Sequence, residues 1–127
     1  MPSYEAAGFE PPAPRARVVL RNPHSGAPVS DVPLLLDTGA DVTLLPHRAV
    51  ERLGVPLLPD QCYELMSFDG SRSFAPVVML ALLFLRRAFR GRYLLIEAER
   101  GIVGRDILNH VALLLDGPRQ QWSEQGT

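Results

Sequence analysis

The stretch Leu34-Leu35-Leu36-Asp37-Thr38-Gly39-Ala40 places an acid directly at the end of an apolar strand. The apolar residues before Asp37 indicate a buried backbone, where an ionised carboxylate is costly unless another group shares or neutralises its charge. Gly39 lets the chain turn back within two residues, so the carboxylate is held at a rigid turn. This setting favours a chemical role for Asp37 over that of a turn-forming acid. The chain contains one Asp-Thr-Gly triplet and no second copy.

Length and composition predict one globular domain. The chain has 127 residues, enough for one hydrophobic core, and its 46% of hydrophobic residues is too high for a disordered protein. A formal net charge of -1 gives no electrostatic case for nucleic acid or an anionic membrane as partner. Cys62 is the only cysteine, which excludes an intrachain disulfide and zinc-site spacings and favours a reducing compartment. Because residues 1–16 show no basic-then-apolar signal segment, we expect a cytoplasmic protein. We expect no metal, since His24, His47 and His110 lack ligand spacing, and no other cofactor.

Turn signals divide the chain into short strands and two short helices. Prolines in residues 1–14 predict an extended or flexible arm without regular structure. Helices are predicted over His47–Leu53, which Gly54 ends, and over Arg105–His110. Strands are predicted over Arg15–Arg21, Ala27–Leu36, Val42–Leu45, Tyr63–Phe68, Ser73–Leu85, Arg92–Glu97, Ile102–Gly104 and Val111–Leu115. The pattern is typical of a mostly β, closed barrel-like domain.

Two hairpins are expected between these strands. Asp69-Gly70 favours a two-residue type I′ turn, because both residues accept a positive φ. The basic segment Arg86–Gly91 is expected as the solvated connection of the next hairpin, since the protein is nearly neutral and a nucleic-acid contact needs a basic surface. The last strand is expected to end in a turn at Asp116-Gly117-Pro118.

Residues 34–46 (LLLDTGADVTLLP) resemble the active-site segment of the retroviral-type aspartic proteases, the retropepsin-like family. The later segment Gly101–Asn109 (GIVGRDILN) resembles the helix that packs beneath the catalytic loop in that family. The order of elements along the chain also resembles that of the family: hairpin, acid turn, helix, flap hairpin, strands and Gly-Arg-Asp helix. The helix at His47–Leu53 makes the cellular and bacterial single-lobe members the more similar ones. The resemblance implies a single-lobe, closed retropepsin-like β-barrel over residues 15–122, followed by a short tail at 123–127.

Peptide hydrolysis by an acid pair needs two carboxylates that share one proton. The deprotonated one activates water, while the protonated one polarises the carbonyl. Because the chain supplies Asp37 alone, the resemblance implies a homodimer in which the Asp37 carboxylates of both subunits meet at the two-fold axis. It also implies a peptide or protein substrate.

The resemblance assigns supporting roles to the residues around the acid. Thr38 would bond across the two-fold axis to the partner's loop. Gly39 would let the substrate backbone approach, and Ala40 completes the loop. Asp41 would bind substrate backbone and pair with Arg105, whose guanidinium would clamp the loop onto the second helix.

The family's flap, a mobile lid over bound peptide, would correspond to the hairpin Tyr63–Phe74. Viral flaps are glycine-rich, whereas this hairpin has a single glycine among bulky or charged neighbours, which indicates a different closing geometry or specificity. The residues that would contact substrate are Met66, Ser67, Phe68, Asp69 and Gly70.

Several alternatives stay open on the sequence. Trp122 is expected either at a dimer seam or at the edge of the core, and Asp106 at the start of a helix rather than in catalysis. The leading hypothesis is a dimeric aspartic endopeptidase. An alternative keeps the fold but is a catalytically weak or inactive dimeric peptide-binding or assembly module. A third is a monomer that awaits a partner half-domain.

Overall fold

Short strands account for most of the chain, as predicted. The computed structural model describes residues 2–66 and 69–126, which form ten strands and two short helices. The strands are β1 (Tyr4–Glu5), β2 (Ala13–Arg21), β3 (Pro28–Leu36), β4 (Leu44–Pro46), β5 (Leu57–Met66), β6 (Arg72–Phe84), β7 (Arg87–Ile96), β8 (Gly101–Val103), β9 (Leu113–Asp116) and β10 (Gln121–Glu124). The helices are α1 (His47–Leu53) and α2 (Arg105–Leu108).

Eight strands form one sheet in the order β1-β2-β3-β8-β4-β7-β6-β5. The β3–β8 and β4–β7 pairs are parallel, and the hairpin-connected neighbours are antiparallel. A further antiparallel pairing joins β2 to β6, two strands that are not adjacent in this order. Strands β9 and β10 form a separate antiparallel pair.

One face of each long strand points into a common core. In β2, the buried residues Ala16, Val18 and Leu20 alternate with more exposed ones, which is the two-residue period of a half-buried strand. Helix α1 adds Val50 and Leu53 to the same cluster. No helix within residues 2–66 and 69–126 has the length and apolar character needed to span a membrane.

Helix α1 has the predicted bounds. It ends because Gly54 adopts a left-handed conformation (φ 78°), in which its N–H donates to the carbonyl oxygen of Glu51. Pro46 precedes the helix with an extended backbone and belongs to β4. Some strands begin at other residues than predicted. Strand β4 begins at Leu44 rather than Val42, and β9 begins at Leu113 rather than Val111.

The basic segment predicted as a hairpin connection is part of a strand. Pairing of β6 with β7 continues to Phe84 and Arg87, so the turn contains only Leu85 and Arg86. Both have left-handed backbones (φ 54° and 64°), the geometry of a type I′ turn, which matches the twist of the flanking strands. The prediction was wrong because neither residue is one that normally adopts this conformation.

Both chain ends contain strands that the sequence did not predict. Tyr4–Glu5 pairs with Ala13 and Pro14, so the expectation that residues 1–14 lack regular structure is wrong for this segment. Glu5 is held by Arg100 (Nε to Oε2, 2.6 Å), and the guanidinium lowers the pKa of the Glu5 carboxyl below its usual value. The predicted tail at 123–127 overlaps β10.

Trp122 lies in the core rather than on a free surface. Its side chain is 2% exposed, its Nε1–H donates to the carbonyl oxygen of Arg15 (2.8 Å), and its ring centroid lies 6.0 Å from that of Phe84. The hydrogen bond to Arg15 connects β10 to β2. The open question about Trp122 is therefore decided in favour of the core edge.

Replacing the exposed Arg86 by glycine should stabilise the protein. The left-handed conformation costs a non-glycine residue about 1 kcal/mol, and glycine removes that cost. We expect Arg86→Gly to raise the free energy of unfolding by about 0.5–1 kcal/mol in urea titrations. Arg90→Gly is the matched control: it lies inside β7, where glycine weakens a strand, and should lower stability. Equal destabilisation by both variants would contradict a strained turn.

Candidate active site

Asp37 lies at the end of β3, in a turn fixed by backbone hydrogen bonds. Its N–H donates to the carbonyl oxygen of Val103 (3.0 Å), which attaches the turn to the end of β8. The Ala40 N–H donates to the Asp37 carbonyl (3.2 Å), and the Gly39 N–H donates to Asp37 Oδ1 (2.9 Å). The half-buried carboxylate is therefore oriented through one oxygen, and Oδ2 accepts no hydrogen bond from the described residues.

Arg105, the first residue of α2, donates two hydrogen bonds to backbone carbonyls of the acid turn. Its N–H donates to the Ala40 carbonyl (2.9 Å) and its Nη1 donates to the Thr38 carbonyl (2.7 Å). The predicted ion pair with Asp41 is absent from the described residues, so that detail was wrong. The guanidinium instead satisfies a carbonyl that the turn leaves outside the sheet, and Asp41 is exposed.

Two glycines allow β8 and α2 to pack directly on the backbone after the acid. A Cβ added at Gly104 would lie 2.5 Å from the carbonyl carbon and oxygen of Val42. A Cβ at Gly101 would collide with the carbonyl oxygen of Leu44. No other residue type fits at either position without displacing backbone. The sequence contained the signal, a glycine on each side of the apolar pair Ile102-Val103, but its steric purpose becomes visible only in the structure.

Thr43 is a site residue that the sequence analysis missed. Its side chain is 1% exposed, and its hydroxyl donates to Asp106 Oδ1 (2.7 Å) while accepting from the Gly104 N–H (3.1 Å). The Thr43 N–H donates to Asp106 Oδ2 (3.0 Å). Asp106 lies in the first turn of α2, as expected, and its role is to hold the segment after the acid turn. A polar residue inside the apolar run Val42–Leu45 was the available signal.

Tyr93 adds a neutral group near this network. Burial, and secondarily the negative charge of Asp106, raise the pKa of the Tyr93 phenol above its usual value. Its hydroxyl donates to the carbonyl oxygen of Phe89 (2.6 Å). The phenol therefore stays protonated and brings no second negative charge close to Asp106.

The hairpin of β5 and β6 lies where the flap was predicted. Its last described pair is Met66 with Arg72, and Met66 is exposed. Gly70 has a positive φ (83°), and the Ser71 N–H donates to Asp69 Oδ1 (2.8 Å). Ser67 and Phe68, two of the predicted flap residues, lie outside the described residues. A two-residue turn at Asp69-Gly70 would pair Met66 with Ser73, whereas Met66 pairs with Arg72, so the prediction of a two-residue type I′ turn was wrong.

The hairpin packs against the segment that follows the acid turn. Leu65 belongs to a small apolar cluster that also contains Val42 and Leu44, which follow the turn, together with Val77 and Leu94. Two open pockets, of about 470 and 330 Å³, lie elsewhere, and Asp37 lines neither of them. The hairpin therefore borders the segment after the acid turn, and Asp37 lies outside both of these pockets.

Thr43→Val should destabilise the protein through its hydrogen bonds. Valine has nearly the same shape but leaves the buried Gly104 N–H without an acceptor, so we expect the free energy of unfolding to fall by about 1–3 kcal/mol. Urea titration at neutral pH measures this. Thr43→Ser keeps the hydroxyl, and its smaller loss serves as the control. A valine variant as stable as the serine variant would show that the network contributes little.

Comparison with known proteins identifies the fold. No protein-family model matches the chain, and no curated protein matches it. The solved structure of the EIAV protease complexed with the inhibitor HBY-793 is similar, with a TM-score of 0.61 and 24% sequence identity. The similarity covers 77% of this chain and 86% of the viral one. The acid turn, the hairpin beside it and the Gly-Arg-Asp helix beneath it therefore lie on a mostly β, retropepsin-like fold.

Proposed function

We propose that this protein is an aspartic endopeptidase that is active as a homodimer. The observation that carries the proposal is the Asp37 carboxylate, held at a turn that β8 and α2 fix from two sides, on the fold of a retroviral protease. A chain with one such acid needs a second copy to form the pair. Activity then depends on protein concentration, because the site exists only in the dimer.

In the proposed mechanism, the two Asp37 carboxylates share one proton and hold a water molecule between them. The ionised carboxylate takes a proton from this water, which attacks the scissile carbonyl. The protonated carboxyl gives its proton to the carbonyl oxygen, where negative charge develops. The amide nitrogen then takes the proton that came from water and leaves as the amine when the C–N bond breaks, and the re-forming carboxylic acid returns one proton to the pair. The Gly39 N–H donates to Oδ1 of Asp37, and this fixes the orientation of each carboxylate.

The proposed substrate is an extended peptide with apolar residues beside the scissile bond. The apolar cluster that includes Val42, Leu44 and Leu65 joins the segment after the acid turn to the hairpin, and a bound side chain needs apolar walls of this kind. In this proposal Thr38 bonds across the two-fold axis, Asp41 binds substrate backbone, and residues 66–70 close over the peptide.

Three finer features belong to the same proposal. The β2–β6 pairing supports a closed barrel, because it links strands from the two halves of the sheet order. Helix α1 supports a relationship to the cellular and bacterial single-lobe members rather than to the viral ones. A single exposed cysteine supports a reducing, cytoplasmic location.

Asp37→Asn should abolish hydrolysis. The amide cannot accept the proton from water, so we expect the rate of cleavage of an apolar peptide library to fall by at least about a hundredfold. Asp31→Asn is the matched control, since it removes an exposed acid from the same strand and should leave cleavage unchanged. Wild-type activity should be highest at mildly acidic pH, where a shared proton is most populated.

Peptide cleavage, inhibitor binding and sedimentation together separate the alternatives. Equal cleavage by wild type and Asp37→Asn would refute the enzymatic proposal. A wild type that binds a transition-state-type peptide inhibitor but cleaves no peptide supports the dimeric binding module. A wild type that sediments as a monomer at micromolar concentration supports a chain that awaits another half-domain.

A further inference from the structure

Three neighbouring strands, β2, β6 and β7, carry positive charge and no acid. Their sequences contain seven arginines and neither aspartate nor glutamate. Three of the seven pair with carboxylates elsewhere in the chain. The other four are exposed and form no ion pair among the described residues: Arg17, Arg21, Arg90 and Arg92. The net charge of -1 therefore conceals a local excess of positive charge.

Three of these four arginines lie close together on one side of the sheet. Arg21 pairs with Ala81, and Ala81 pairs with Arg90, so these residues form one row across the three strands. Arg92 pairs with Met79 in a second row. Paired residues of antiparallel strands share a face, as do residues two apart in one strand. We call this surface, formed by Arg21, Met79, Ala81, Arg90 and Arg92, the arginine face.

The spacing on the arginine face suits an extended peptide. The Cα atoms of Arg90 and Arg92 are about 6.8 Å apart along the strand, and Arg21 lies two strand spacings, about 10 Å, from Arg90. Their guanidinium groups repel one another, and Asp31 in the bordering β3 forms no ion pair with Arg21 in the described part of the chain. Alternate side chains of an extended peptide are also about 6.8 Å apart, so acids at every second residue match this spacing.

The arginine face continues the apolar cluster that borders the segment after the acid turn. Val77 and Leu94 belong to that cluster and pair with each other. Met79 and Arg92 form the next row on the same side, two residues further along each strand. A peptide that contacts Leu94 therefore reaches Arg92 after about 7 Å and Arg90 after about 13 Å, which is about four extended residues.

We propose that the arginine face binds an acidic segment of the protein substrate. The inference rests on the proposed function, for which it names the substrate class. Such a substrate has apolar residues at the scissile bond and a run of acidic residues that begins about four residues beyond those in contact with the apolar cluster. A two-fold symmetric dimer presents one arginine face for each subunit, so the acidic run is suited to either side of the scissile bond.

An acidic peptide fits this surface better than a nucleic acid does. Proteins that bind single-stranded nucleic acid stack aromatic side chains on the bases. The aromatic residues nearest to the arginine face, Phe84, Phe89 and Tyr93, pack in the core on the other side of the sheet. The face itself carries Met79, which is 46% exposed and offers apolar contact to peptide side chains.

Binding to an inactive variant tests the arginine face separately from catalysis. Two labelled peptides share an apolar segment and carry, four residues after it, either acidic residues at alternate positions or the corresponding amides. With Asp37→Asn protein, fluorescence anisotropy should show about tenfold tighter binding of the acidic peptide, because several exposed ion pairs add up. The advantage should disappear in about 0.5 M salt, which screens such pairs.

Removal of two charges from the arginine face should remove this advantage. In the double variant Arg90→Gln/Arg92→Gln, both changes are at exposed positions, and glutamine keeps a long polar side chain in the strand. Arg48→Gln/Arg52→Gln is the matched control, because it removes the same charge from exposed arginines at a pocket beside Ile96, the other end of β7. Arg90→Lys/Arg92→Lys keeps the charge and should keep most of the advantage.

Kinetics give a second readout if the wild type cleaves these peptides. The acidic run should lower KM about tenfold and leave kcat unchanged, because contacts away from the reacting atoms are equally strong in the ground state and the transition state. An equal KM for the acidic and the amide peptide contradicts the inference.

The outcomes separate this inference from the proposed function. The acidic-segment site is overturned if the acidic peptide binds no better than the amide, if both double glutamine variants lose equally, or if a single-stranded oligonucleotide binds more tightly than the acidic peptide. Hydrolysis that still depends on Asp37 then leaves the enzyme proposal standing. Binding that only Arg90→Gln/Arg92→Gln abolishes, in a protein whose wild type cleaves no peptide, supports the arginine face and counts against the enzyme.

Discussion

The rest of the site depends on the direct contact of Gly104 with the backbone of Val42. Because no side chain separates them, the Gly104 N–H reaches the Thr43 hydroxyl, and Asp106 reaches both polar groups of Thr43. The same approach places Arg105 under the acid turn. A bulkier residue at this point would move α2 outward and break all of these bonds together, since each tolerates only a few tenths of an ångström.

This arrangement explains how a short turn can hold an acid with a fixed orientation. The turn itself supplies one hydrogen bond to the carboxylate, from Gly39. The remaining constraints act on the backbone: Val103 holds the N–H of Asp37, and Arg105 holds the carbonyl of Thr38. Catalytic groups need such support from residues that do no chemistry, because misplacement by about 1 Å is enough to lose activity.

The sequence predicted the elements whose pattern is local. Strand β2, helix α1 and the acid turn each carry their signal within about ten residues, as a two-residue alternation, a glycine stop or an Asp-Thr-Gly turn. The basic start of β7 was mistaken for a loop because its strand character comes from pairing with β6, which a left-handed turn at Leu85 and Arg86 brings into register. Composition alone does not show that pairing.

The chain ends and the site network were beyond prediction for one physical reason. Tyr4–Glu5 pairs with the start of β2, and Arg100, 95 residues away, holds Glu5. Thr43 matters because Asp106, 63 residues away, accepts both of the hydrogen bonds that Thr43 donates. Such contacts depend on how separate elements approach each other. The sequence supplies suitable partners, but many pairings of acids with arginines or hydroxyls are equally consistent with it.

The buried Trp122 anchors the C-terminal hairpin to the core. Its ring packs on Phe84, its Nε1–H bonds to β2, and its backbone N–H bonds to Pro2, so β10 is held on three sides by its own chain. A hairpin anchored in this way cannot exchange β10 with a neighbour without losing core contacts.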